Sequence, residues 1–325
     1  TGDNALYIAL TGDRYPTYSD ATFAQGLGYE RELINDLLVF HIVFGKTVSE
    51  ISLNAVANLG YADVQFRAPV YPGDTLHAET EIIGVKENSS GKTGTVYVHT
   101  QGMNQRDEVV LEFCRWVMVN KRAPETPHPV NVVPDFLPVV EPMLELPKIK
   151  DVDWIKGRFW DDYAADEWLY DGTGMTLEES EHALATRLYQ NTAKVHFDAR
   201  LMADSNHGKR LVYGGHVISL AHALVYPLFP NATRIAAWNG GTHANPTFAG
   251  ETLYAAARVL ERREIDGRDD FGYLRVQLVS LKDRVPDEES LILKQTNPDS
   301  GRDRYSEHAV LDLDYWLVVP RKGQV

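Results

Sequence analysis

From Asp36 to Ile51 the chain reads Asp-Leu-Leu-Val-Phe-His-Ile-Val-Phe-Gly-Lys-Thr-Val-Ser-Glu-Ile, apolar nearly all round. Such a run has no polar face to turn to water, and its length predicts a helix enclosed on every side, as one swallowed by a sheet would be. Downstream the period shortens to two. Alternation predicts strands over Leu76–Lys86, Thr93–Asn104 and Val109–Asn120, with turns at Asn88-Ser89-Ser90-Gly91 and Asn104-Gln105-Arg106-Asp107. Ahead of the buried run, Thr1–Leu10 reads as the end of a short helix leading into Thr11-Gly12-Asp13.

The same order of elements recurs. Asp13 and Asn191, Tyr18 and His196, and Asp20 and Asp198 all stand 178 positions apart, as do Asp36 and Gly214, which opens a second apolar run to Phe229. Ala68-Pro69-Val70-Tyr71-Pro72-Gly73-Asp74-Thr75-Leu76 and Asn245-Pro246-Thr247-Phe248-Ala249-Gly250-Glu251-Thr252-Leu253 follow at a separation of 177. A slip of one residue is a small loop change, so the chain holds one unit written twice. In the second copy a Thr176-x-x-Glu179 capping box predicts a helix over Leu177–Leu188. Strands are expected over Arg234–Trp238, Thr252–Glu264, Phe271–Leu281, Ser290–Asn297 and Ala309–Val319.

Between the copies, Pro124, Pro127, Pro129, Pro134, Pro138, Pro142 and Pro147 exclude helix and central strand alike. They leave an extended connector crossing the surface from one unit to the other. The expected division is 1–121, a linker over 122–150, and 151–325. The fold class is α+β, two sheets each wrapped around a long central helix. Because the second copy carries strand-like sequence over Phe159–Met175 that the first lacks, additional N-terminal residues supplying a first strand are expected in the natural protein.

Composition narrows the chemistry. With 325 residues, 44% of them hydrophobic, there is ample core for two units, and no stretch approaches the roughly 18 apolar residues that span a membrane. A formal charge of −14 argues against nucleic acid, whose binding rests on cations. The single cysteine, Cys114, excludes a disulfide framework within the chain and reads as a buried thiol in a reducing cytoplasm.

The chemistry-bearing stretch is Gln190-Asn191-Thr192-Ala193-Lys194-Val195-His196-Phe197-Asp198, followed by Leu211-Val212-Tyr213-Gly214-Gly215-His216. Adding water across a double bond conjugated to a thioester needs a base for the water, an acid for C2 and donors for an enolate-like oxygen. A histidine fills the first two roles near neutral pH. A glycine at a helix N-terminus fills the third, because unpaired N–H groups point outward there.

These stretches resemble the hydratase motif of the MaoC-like, R-specific enoyl-CoA hydratase family. In that family an Asp, a His five residues on and an acidic residue two beyond lie on a loop before the long helix of a hotdog fold. Here Asn191, His196 and Asp198 hold those places, and Gly214 the helix start. Within the family, Leu37–Thr47, Ser52–Tyr61 and Tyr189–Phe197 look most like the mesaconyl-CoA hydratases, also called β-methylmalyl-CoA dehydratases. The resemblance implies a double hotdog and reversible hydration of mesaconyl-CoA, with no cofactor and no metal. An acyl-CoA thioester is the implied partner, with a second copy of the chain as a further candidate.

Two departures qualify it. Tyr18 and Asp36 replace the His and Gly in the first half, so one active site per chain is expected, in the second half. Asn191 replaces the family's Asp, and an amide takes no proton from water, so His196 must carry more of the proton transfer while Asn191 orients the water or thioester.

For binding, Gly215 is a second candidate donor, Asp198 an orienting partner, and Lys194, Lys209 and Arg210 a candidate basic patch for CoA. Arg67 is the candidate cation for a free carboxylate on the acyl group. Other R-specific enoyl-CoA hydration remains open, as does thioester hydrolysis, which hotdogs also host; it usually wants a carboxylate near the helix start, where this chain has Gly214-Gly215-His216. A non-catalytic acyl-CoA binding module is the third alternative, disfavoured by the retained His196 and Gly214.

Overall fold

The computed structural model describes residues 2–52, 55–123, 125–126, 130–296, 301 and 303–323. Thr1, Pro124, Pro127, Pro129, Asn297 and Val325, each part of an expectation above, lie outside the described residues.

The first half runs α1 (Gly2–Thr11), α2 (Ala21–Gly26), α3 (Asp36–Ile51), then β1 (Ala55–Phe66), β2 (His77–Glu87), β3 (Thr93–Met103) and β4 (Val109–Asn120). The second adds β5 (Trp168–Leu169), β6 (Gly174–Thr176), α4 (Glu179–Leu188), α5 (Ala199–Ala203), α6 (Gly214–Leu224), β7 (Arg234–His243), β8 (Thr252–Glu264) and β9 (Phe271–Lys282). It closes with β10 (Lys294–Thr296), β11 (Asp303–Tyr305) and β12 (Ala309–Pro320).

The fully apolar run is α3, over the residues the pattern gave, and Asn35 caps it by accepting the Leu37 N–H at 2.9 Å. Its second-half partner is shorter than its apolar run. α6 stops at Leu224 and gives way to a 3-10 turn over Tyr226–Leu228, because Pro227 has no N–H to continue the ladder and its ring would crowd the preceding turn. The capping box is also not formed: Thr176 Oγ1 is spent on Thr252 Oγ1 at 2.8 Å, and α4 starts at Glu179 without a side-chain cap.

The two halves share one sheet. Its order is β2-β3-β4-β1-β7-β12-β9-β8-β5, with β6 also on β8, all pairs antiparallel. Each half wraps its own helix, and β1 joins β7 from Tyr61↔Gly241 to Gln65↔Ala237. β1 was not among the expected strands. The expected strand Ser290–Asn297 also differs, because among its described residues only Lys294–Thr296 is extended, paired with β11 in a separate ribbon.

At the middle, equivalent positions of the two central helices meet: His41 Nε2 lies 2.7 Å from Ser219 Oγ, 178 residues away. Phe40 packs on Tyr61, Phe113 and Trp238, so one α3 side chain touches strands of both halves. Truncating such a buried aromatic typically costs about 3–5 kcal/mol.

The connector packs along the shared sheet. Val132 N–H bonds the Val85 carbonyl at the β2 edge, Phe136 stacks on Trp116, Val140 N–H reaches Asn239 Oδ1, and Arg268 holds the carbonyls of Leu146 and Pro147. Its prolines lack donors, so side chains of the sheet supply several of the bonds that a strand would have made itself. No helix among the described residues is long and apolar enough to cross a membrane.

Candidate active site

The loop that follows α4 is built by short-range hydrogen bonds. Asn191 Oδ1 accepts the Ala193 N–H at 3.0 Å, a 3-10 turn follows over Lys194–His196, and Asp198 Oδ1 accepts the Leu201 N–H at 3.0 Å to cap α5. The first half makes the same loop with Asp13 accepting from Tyr15, and Asp20 from Phe23. Asp198 is therefore a helix cap, as Asp20 is in the first copy, and it does not line the cavity described below.

His196 is half-buried. Its Nδ1 lies 3.0 Å from the Leu211 carbonyl oxygen, which can only accept, so Nδ1 carries the proton and neutral Nε2 presents a lone pair. Burial lowers its pKa to about 4, which keeps the ring unprotonated at neutral pH. Asn191, with Oδ1 committed to the loop, has its amide Nδ2 as a donor.

A cavity of about 710 Å³ opens between the halves. His196, Asn191, Lys194 and Gly214 all line it. Gly214 is the first residue of α6, and among the described residues no group accepts its N–H or that of Gly215; the first engaged amide is His216's, on the Tyr213 carbonyl. A Cβ on Gly214 would come within 2.6 Å of the His243 ring, so the close approach of that ring requires glycine.

His243, at the end of β7, was not singled out in the sequence. It lines the same cavity, its Nε2 is 3.4 Å from the Tyr61 hydroxyl, and burial followed by the neighbouring His196 lowers its pKa to about 4. Arg115 in β4 is the second omission. It is 1% exposed, lines the cavity, and burial lowers its pKa to about 10, so it stays charged at pH 7. Its signal was an arginine inside an apolar strand, one residue after Cys114. That thiol is itself buried, and desolvation pushes its pKa up to about 12.

The remaining candidates lie elsewhere. Arg67 is away from the cavity, paired with Glu112 at 3.0 Å. Arg210 bonds Glu179 at 2.8 Å and the Phe197 carbonyl, bracing the loop. Lys209 is exposed over the Phe248 ring at 4.2 Å, outside the cavity lining. Gly215 is packed beneath Tyr213 and His41, where a Cβ would meet their rings at 2.5 and 2.7 Å, so only its N–H is open to a role.

The corresponding first-half place is filled. Tyr18 donates to Asp36 Oδ2 at 2.6 Å, and Asp36 binds Arg234 through Nε at 2.8 Å and Nη2 at 2.7 Å and accepts the Ile235 N–H at 3.0 Å. Both members of the ion pair are almost wholly buried. Asp13 above it is pushed up to about 6 by burial.

The family model described as a MaoC-like domain matches residues 1–103, the half whose site is filled in this way. The chain is 49% identical to the β-methylmalyl-CoA dehydratase of Chloroflexus aurantiacus, over 99% of this chain and 92% of that one. It is 46% identical to the mesaconyl-CoA hydratase of Cereibacter sphaeroides, over 98% and 92%. Among solved structures, a MaoC-domain dehydratase from Chloroflexus aurantiacus superposes with a TM-score of 0.93 at 48% identity, covering 99% of this chain and 92% of that one. A Mycobacterium tuberculosis protein with a double hotdog fold superposes with a TM-score of 0.73 at 24% identity, covering 98% and 92%. That likeness shows the fold alone.

Proposed function

The chain belongs to the MaoC-like family, and we propose that it is a hydro-lyase that reversibly adds water to mesaconyl-CoA, giving β-methylmalyl-CoA. The observation that carries this reading is the pairing of a neutral imidazole with an open helix start: His196 Nε2 and the Gly214 N–H belong to walls of one cavity.

The thioester carbonyl oxygen is received at Gly214, with Gly215 N–H alongside, where the partial positive charge of the helix start favours the enolate. His196 Nε2 takes a proton from water as the hydroxyl oxygen bonds to C3 and the alkene electron pair moves into the enolate. The imidazolium then returns that proton to C2 and the carbonyl re-forms, so a single histidine serves in both directions. Asn191 holds the water through its amide, and Lys194 at the cavity wall is the candidate for CoA phosphate. The second half (151–325) thus supplies the chemistry, and the first (1–121) supplies a wall.

The test is the ultraviolet absorbance of the enoyl thioester with purified protein. A hydratase bleaches it without releasing thiol; a thioesterase releases thiol, and a binding module does neither. His196→Ala should lower turnover by about 10²–10⁴ without loss of fold, and Asn191→Ala should do less. Near-normal turnover in His196→Ala would remove the proposed mechanism.

A further inference from the structure

Arg115 differs from other arginines tucked into this fold. Arg234 has Asp36, Arg275 has Asp314 and Arg268 has Asp270, all within ion-pair distance. Arg115 is as buried as Arg234, yet among the described residues no carboxylate faces it. Its Nη1 donates to Ser52 Oγ at 2.9 Å and its Nη2 to Thr47 Oγ1 at 2.8 Å, while its buried Nε has no acceptor. A guanidinium carries five N–H donors, so two neutral hydroxyls leave three donors and the full charge unmatched.

Removing an unpaired charge from water is costly. The Phe44 ring, 4.3 Å from the guanidinium carbon, and the C-terminal end of α3, where Thr47 and Ser52 lie, offset part of that cost. Neither supplies an anion. The cavity does supply a place for one, since Arg115 is part of its wall.

The sheet register places that wall relative to the helix start. Tyr61 on β1 faces Arg115 on β4, and on its other side faces Gly241 on β7, with His243 two residues further along the same face. Arg115, Tyr61 and His243 therefore form a row across adjacent strands, ending against Gly214. One end offers N–H groups to a carbonyl oxygen, and the other offers an unpaired cation.

We propose that Arg115 is the specificity-determining residue that binds the free carboxylate of the acyl group, with Thr47 and Ser52 as positioning residues for its guanidinium. The inference rests on the mesaconyl-CoA reading proposed above and names the residue that meets the free carboxylate of that short dicarboxylic acyl group. Only the two alkene carbons separate the carboxylate of such a chain from its thioester carbonyl, so the anion must be met inside the cavity rather than at its mouth. The first half, whose own site is filled by Tyr18, Asp36 and Arg234, thereby supplies substrate recognition to the second.

The experiment compares mesaconyl-CoA with crotonyl-CoA, which lacks the carboxylate, on the wild type, Arg115→Gln and Arg115→Lys. Arg115→Gln should lower kcat/KM for mesaconyl-CoA on the order of 10²-fold or more, while leaving that for crotonyl-CoA unchanged or raised. Arg115→Lys, which keeps the charge but not the fork, should fall between. Equal losses on both substrates would make Arg115 a purely structural residue and overturn the inference, as would no loss on either. If Arg115→Gln does not fold, the same selective loss must appear in Arg115→Lys, and an unselective one refutes the assignment. Binding of the unreactive pair succinyl-CoA and butyryl-CoA separates the two readings. A wild type that turns over neither substrate but prefers succinyl-CoA, with the preference lost in the variant, would sink the reaction and leave the carboxylate site standing.

Discussion

Neutralising Asp36 separates stability from chemistry, because the same family position is a filled site in one half and the helix start in the other. The Asp36 carboxylate accepts from the Tyr18 hydroxyl, from two nitrogens of Arg234 and from the Ile235 N–H, with side-chain exposures of 3% for Asp36 and 1% for Arg234. Burial alone would lower the Arg234 pKa, and the adjoining carboxylate reverses this, holding it well above its usual value. Asp36→Asn keeps the shape but leaves that guanidinium buried and uncompensated, a loss of about 3–5 kcal/mol. Tyr18→Phe removes one hydrogen bond to a charged group, about 1.5–3 kcal/mol, and leaves the ion pair intact. Against a total stability of about 5–15 kcal/mol, the first change should move the urea midpoint by a large fraction of its value and the second by less. Turnover of mesaconyl-CoA, measured on the same samples below their transitions, should stay within about threefold of wild type in both, since neither group touches the cavity. His196→Ala should show the opposite pattern, with an intact midpoint and lost turnover. Abolished turnover in Tyr18→Phe at an unchanged midpoint would put the chemistry in the first half, and an unmoved midpoint in Asp36→Asn would contradict the weight given to the buried pair.

Because burial holds His196 at about 4, the acid limb of kcat/KM should lie below pH 5, with activity lost as pH falls through the folded value; a limb near the ordinary 6.5 in pH-jump assays would contradict the burial argument. Stability should respond at higher pH. His216 and His222, both lowered to about 3 by burial, leave the unfolded chain the better proton acceptor below 6.5, a loss of about 4 kcal/mol together between pH 7 and pH 5. His196 and His243, held at about 4, act in the same direction, while Asp13, raised to about 6, works the other way and returns only about 1 kcal/mol, so urea midpoints should fall between pH 7 and pH 5, and a flat profile would be inconsistent with neutral buried rings. Gly214→Ala sets a methyl group against the His243 ring at the helix start and should cut turnover on the order of 10²-fold; wild-type rates in that variant would remove Gly214 from the oxyanion role.

The repeat, the enclosed helix α3 and most strands were legible in the sequence because they rest on local periodicity and on a copy of the same periodicity 178 residues on. The loop holding Asn191 and His196 was legible for a similar reason, since its bonds span only a few residues or reach forward to nearby Leu211. β1 was not, although the strand expected over Arg234–Trp238 stands at its repeat position. Its burial pattern is irregular and its register shifts at three places, which erases the alternation that marks a strand. Those shifts bear on Arg67, whereas Arg115 lies in regularly alternating β4, on the face it shares with Phe113 and Val117. Both are first-half arginines in or beside strands, and sequence gives each the same charge and reach. Which one looks into the cavity depends on the face of the pleat it occupies, and a bulge between Ala62 and Gln65 reverses faces without leaving a mark in the residues themselves. His243 likewise became a cavity residue only when β7 paired with β1, because a contact between strands far apart in the chain is set by their register and not by any local pattern.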